Sequence, residues 1–119
     1  MGRLSTHFLD TAHGCPAAGM KVSLQRMAAD GRAETIKTIV LNADGRNDGG
    51  PLLDAQSMAV GRWRLVFEAA SYFRARGLAL PDPPFVDTVQ IDFGIADAAG
   101  HYHVPLLVSP WSWSTYRGS

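Results

Sequence analysis

The chain has 119 residues, with eleven basic and eleven acidic side chains and a pI near 6.9. This length fits a single domain (residues 1–119) that buries roughly two-thirds of its unfolded surface, and the lone Cys15 cannot form an internal disulfide. No basic stripe favours nucleic acid, no apolar run reaches membrane-spanning length, and no signal-peptide core opens the chain, so a cytoplasmic setting is expected.

Arg3 to Asp10 alternates Leu4, Thr6 and Phe8 with Ser5, His7 and Leu9, the period of a strand. Thr11 to Gly19, with two glycines and Pro16, reads as a turn. Met20 to Met27 sets Met20, Val22 and Leu24 against Lys21, Ser23 and Gln25, a half-buried strand. Asp30-Gly31 marks a hairpin, and Glu34 to Asn42 continues it with the β-branched Thr35, Ile36, Thr38, Ile39 and Val40.

Asn42 to Pro51 is a polar loop holding Asp44-Gly45 and Arg46, followed by a short edge strand at Leu52-Leu53. From Gly61 to Ala69, Trp63, Leu65 and Phe67 face inward while Arg62, Arg64 and Glu68 face outward. Ala69 to Arg76 is the one helix, with arginines in its last turn and Gly77 at the position of a C-terminal cap. Pro81, Pro83 and Pro84 forbid its continuation. Val86 to Ile95 is a strand, Asp97 to Gly100 a turn, and His101 to Ser119 two strands around Ser109-Pro110. Seven or eight short strands with one helix predict an all-β sandwich.

The candidate chemistry lies in the histidines. His7, His101 and His103 occupy the more polar faces of their strands, and the spacing of His101 and His103 puts both on one face. Two readings follow. A His-x-His pair with a third histidine from a neighbouring strand is a zinc geometry. Two metal-free imidazoles can instead divide general base and general acid work near neutral pH. Spacing does not choose between them. His13, in a turn, reads as a surface residue. Arg46 presents a guanidinium fork suited to a planar anion. Trp111 and Trp113 are expected to pack into the core or a subunit contact. Pro105 interrupts a strand pattern and predicts a bulge or an edge position.

The chain resembles the transthyretin-like family. The likeness runs from Leu4-Ser5-Thr6-His7 and Leu9-Asp10-Thr11-Ala12, through Asp44-Gly45-Arg46 and Tyr102-His103-Val104-Pro105-Leu106-Leu107, to Ser109-Pro110 and Ser114-Thr115-Tyr116-Arg117-Gly118-Ser119. The ending Tyr-Arg-Gly-Ser is the mark of the family's hydroxyisourate-hydrolysing branch, as distinct from its hormone carriers. This resemblance implies a transthyretin-like sandwich of two four-stranded sheets, with a short helix after the fifth strand. Four subunits would form a homotetramer around a channel, with sites at the dimer–dimer interface.

The positions matching the catalytic set are His7, Arg46, His103 and the terminal Ser119, with Tyr116, Arg117 and Gly118 shaping the substrate pocket around Arg46. The implied reaction is hydrolysis of 5-hydroxyisourate to 2-oxo-4-hydroxy-4-carboxy-5-ureidoimidazoline in urate degradation. It needs neither cofactor nor metal, and neither nucleic acid nor membrane takes part. His101 lies outside the motif, and Trp111 and Trp113 stand where the family more often has tyrosine.

Overall fold

A computed structural model of the chain describes residues 2–118. Among the described residues the order is β1 (Arg3–Asp10), β2 (Cys15–Pro16), β3 (Lys21–Met27), β4 (Ala33–Val40), β5 (Gly61–Phe67), α1 (Ala69–Ala75), β6 (Val89–Ile95), β7 (His101–Val108) and β8 (Trp113–Thr115). Two four-stranded sheets form, one in the order β2-β1-β7-β8 and the other β4-β3-β5-β6. Every pairing is antiparallel except β1 with β7, which is parallel.

Strand alternation builds the sandwich. Leu4, Phe8 and Leu106 from the first sheet meet Leu24, Leu65, Phe67 and Ile95 from the second, all fully buried. Phe8 and Phe67 lock the layers edge to face, with ring centroids 4.2 Å apart. The helix stops where a Schellman motif forms. Gly77 takes φ +88°, its N–H donates to the Arg74 carbonyl, and the Leu78 N–H donates to that of Phe73.

Three expectations change. The predicted turn after β1 contains the two-residue strand β2, which pairs Leu9 with Pro16 and Asp10 with Cys15. Leu52-Leu53 forms a single bridge, Leu4 to Leu53, in place of an edge strand. Trp111 and Trp113 are outside the core of the single chain, 60% and 42% exposed, because Trp113 starts a three-residue edge strand and Trp111 lies in the turn before it. Trp111 lies tilted against the exposed Phe85, with centroids 6.2 Å apart.

Candidate active site

The parallel ladder between β1 and β7 decides which side chains meet. Its register sets Arg3 beside His101, Ser5 beside His103 and His7 beside Pro105. Leu4, Thr6, Phe8, Tyr102, Val104 and Leu106 turn inward and are buried. The odd-numbered residues therefore share the open face of the sheet. There the Ser5 hydroxyl and His103 Nδ1 lie 2.8 Å apart.

Arg46 reaches this face from the loop between β4 and β5. The loop is tied to itself through Asn42, whose side-chain oxygen accepts from the N–H groups of Asp44 (2.9 Å) and Arg46 (3.1 Å). It is tied to β1 where the Phe8 N–H donates to the Gly45 carbonyl at 3.0 Å. Gly45 adopts φ +71°, and a Cβ there would collide with the Phe8 carbonyl, so only glycine lets the loop press on the strand. Arg46 Nη2 then stands 3.4 Å from His7 Nδ1, and since a guanidinium can only donate, that nitrogen accepts. A cleft of about 250 Å³ runs beside it, lined by Arg3, Ser5, Arg46, Asn47 and Gly50 among others.

Electrostatics favour the neutral imidazole at both histidines. Burial lowers the His7 pKa below 6.5, and the Arg46 charge adds to this, against smaller upward pulls from the backbone and the charge of Asp44. Burial likewise lowers that of His103, helped by the charges of Arg46, His7 and Arg3. Two uncharged imidazoles, each able to take a proton and to donate a hydrogen bond, therefore stand near one fixed cation at neutral pH.

The end of the chain borders this face along the β7 edge. Leu106 pairs with Thr115, and the bridge of His103 to Gly118 keeps the same register, so Tyr116 falls opposite Pro105. Pro105 lies in an interior strand, where a bulge or an edge position was expected. It is tolerated because its missing N–H would point at β8, where the ladder skips a rung. Its carbonyl accepts instead from Thr115 Oγ1 at 2.7 Å. The Gly118 N–H donates to the His103 carbonyl at 2.7 Å. Arg117 turns inward, its guanidinium 4.1 Å from the centroid of the buried Tyr102 ring and donating to the His101 carbonyl. The structure thus brings together His7, Arg46, His103 and Gly118, places Tyr116 beside them by register, and sends the Arg117 side chain elsewhere. Ser119 lies outside the described residues.

His101 stands level with Arg3, four residue steps from the level of His7, about 13 Å along the strand direction. The three histidines of the zinc reading therefore do not converge on one ion. His13 is exposed, as expected, and its Nδ1 lies 2.6 Å from the buried Asp10 carboxylate, which also accepts from the Tyr72 hydroxyl at 2.8 Å. Cys15 accepts from Arg76 at 3.6 Å. Sequence reasoning noted Ser5 only as a neighbour of His7. What joins Ser5 to His103 is the parallel register, and no local pattern carries that.

An acid–base site of two imidazoles and a guanidinium, on one face of a two-sheet sandwich, is the class that fold and site define. The chain belongs to the HIUase/Transthyretin family, whose model matches residues 4–118. It is 55% identical to 5-hydroxyisourate hydrolase 2 of Rhizobium meliloti (strain 1021), over 99% of this chain and 97% of the relative. The solved structure of (S)-allantoin synthase superposes with a TM-score of 0.92 at 45% identity; the chain is covered to 99% and spans only 44% of that protein. Transthyretin from Sparus aurata superposes with a TM-score of 0.85 at 28% identity, covering 98% and 96% of the two chains.

Proposed function

We propose that this protein hydrolyses 5-hydroxyisourate to 2-oxo-4-hydroxy-4-carboxy-5-ureidoimidazoline. The observation that carries this reading is the meeting of His7, His103 and Arg46 on one sheet face. One neutral imidazole takes a proton from water, the water attacks a ring carbonyl, and the other histidine helps that proton reach the departing ring nitrogen. Arg46 binds the anionic oxygens of the substrate and stabilises the charge that grows on the tetrahedral intermediate. Ser119, next after Gly118, orients a histidine or the water in this reading.

Acid–base assistance of this kind contributes about 10²–10⁴-fold. That scale suits a cyclic substrate that already opens in water. The histidine face is open in the single chain, and in this reading four copies cover it, forming a channel with the sites at the contact between dimers. Gel filtration at the mass of a tetramer supports the assembly, and a monomer contradicts it.

The activity is tested by generating 5-hydroxyisourate with urate oxidase and following its ultraviolet decay. Acceleration in proportion to protein is expected. A decay unchanged by the protein overturns the reading and favours a carrier of small ligands.

A further inference from the structure

We infer that Ser5 is the positioning residue of His103: its hydroxyl holds Nδ1 and its proton, which leaves the Nε2 lone pair of His103 to act as the base toward water. This rests on the hydrolase reading above and goes beyond it by assigning the two histidines different roles.

Three observations carry it. The parallel register seats Ser5 directly beside His103, and the 2.8 Å contact joins Oγ to Nδ1, so Nε2 is the ring nitrogen left for chemistry. The opposite side of the ring is closed by Gly118, where even a single added carbon would stand 2.8 Å from Cδ2. The imidazole is thereby held between a hydroxyl and a backbone, with little freedom to rotate. A serine oxygen can accept a hydrogen bond from Nδ1–H, the tautomer a base at Nε2 requires. His7 is held the other way round. Its Nδ1 faces the donor Arg46, which favours the neutral ring with its proton on Nε2, able to donate a hydrogen bond to a leaving nitrogen, and the Asp44 backbone also bonds to this ring. In this proposal the two imidazoles take opposite tautomers, His103 beside a hydroxyl and His7 beside a guanidinium.

Atoms balance over the cycle. Water gives a proton to His103 Nε2 and its oxygen to the ring carbon, the ring carbon–nitrogen bond breaks, and the nitrogen takes that proton from the His103 imidazolium while His7 hydrogen-bonds the departing group. Both rings end the cycle neutral, as they began. The charged groups that bear on His103 are His7 and Arg3 from β1 and Arg46 from the loop, with His101 two residues away on its own strand.

The experiment compares Ser5→Ala and Ser5→Thr with the wild type on 5-hydroxyisourate, with His103→Ala beside them. Losing one hydrogen bond of ordinary worth lowers kcat about three- to tenfold in Ser5→Ala, with KM nearly unchanged. Its acid limb moves to lower pH, since the hydroxyl oxygen accepts most strongly from the imidazolium. Ser5→Thr, which keeps the hydroxyl on an open strand face, recovers most of kcat. Nitrogen NMR of labelled histidine shows the neutral His103 protonated on Nδ1 in the wild type and a mixture of tautomers in Ser5→Ala. Thermal unfolding confirms that each variant is folded.

The inference is overturned by a Ser5→Ala enzyme with wild-type kcat and acid limb, by a Ser5→Thr enzyme as impaired as Ser5→Ala, or by a wild-type His103 protonated on Nε2. If His103→Ala turns over like the wild type, the inference fails too; if the wild type itself leaves the decay unchanged, the hydrolase reading fails instead, so the two failures are told apart.

Discussion

Gly118 lies against the ring of His103, close enough that a methyl group in place of its hydrogen would stand 2.8 Å from Cδ2 and 3.2 Å from Cβ. The same glycine donates its N–H to the His103 carbonyl. One residue near the chain's end therefore bears on both the backbone and the ring of His103.

Gly118→Ala is expected to push that ring aside without unfolding the sandwich, because the core is built elsewhere. Misplacement of a catalytic group by about 1 Å can cost 10²-fold, so kcat should fall by one to two orders of magnitude. Steady-state kinetics beside denaturant unfolding checks this. A variant that loses stability and keeps its turnover contradicts it.

The pH profile follows from the lowered pKa values of His7 and His103. Turnover should hold below pH 6.5 before falling, since both rings stay neutral further into acid than free histidine. Arg46→Ala removes one downward cause from both rings and leaves burial, the larger one. Its acid limb should rise toward 6.5, with a greater loss of kcat/KM at pH 6 than at pH 8. The sign for stability agrees. Folded chains bind fewer protons at these rings than unfolded ones, so their contribution is complete above about pH 6.5 and is lost as pH falls through the lower folded values.

Gly45→Ala tests the loop that carries Arg46. A side chain there requires an unfavourable φ and meets the Phe8 carbonyl. Loosening of the loop from β1 is expected, with a stability loss of about 1–3 kcal/mol and a rise in KM as the guanidinium leaves its place. Substrate titration with thermal unfolding of the same preparation reads both.

Away from the site, Asp10 is buried and serves His13, Tyr72 and the backbone N–H groups of Ala12 and His13. Burial pushes its carboxyl up, but the bonds from His13 and Tyr72 outweigh this and hold it below 3.8. The stability it contributes is present above that value and disappears as acid protonates it. Tyr72→Phe should cost about 1–3 kcal/mol in urea unfolding and leave kcat unchanged, because the hydroxyl ties α1 to β1 on the inward side.

Much of this was legible from alternation and punctuation. The strand over Arg3 to Asp10 coincides with β1, and the helix ahead of Gly77 ends where the glycine and its arginines indicate. Both are local signals, a period of two and a cap. Pairing is not local. That β1 lies parallel to β7, nearly a hundred residues away, follows only from packing, and with it go the meeting of Ser5 with His103 and the place of Pro105 inside a sheet. His13 lies at the surface as read, but its bond to Asp10 was not legible, because a turn has no period to orient a side chain and Asp10 is buried by the strand before it. Of the two places expected for Trp111 and Trp113, a core or a subunit contact, the core is excluded, because Trp113 starts a three-residue edge strand and Trp111 precedes it.

The central claim is that His103 does acid–base work on 5-hydroxyisourate, and the decay of that substrate in the presence of His103→Ala tests it most directly. The account predicts a folded protein of unchanged assembly whose acceleration is reduced by about 10²-fold or more. A His103→Ala protein that hydrolyses the substrate at the wild-type rate would contradict it.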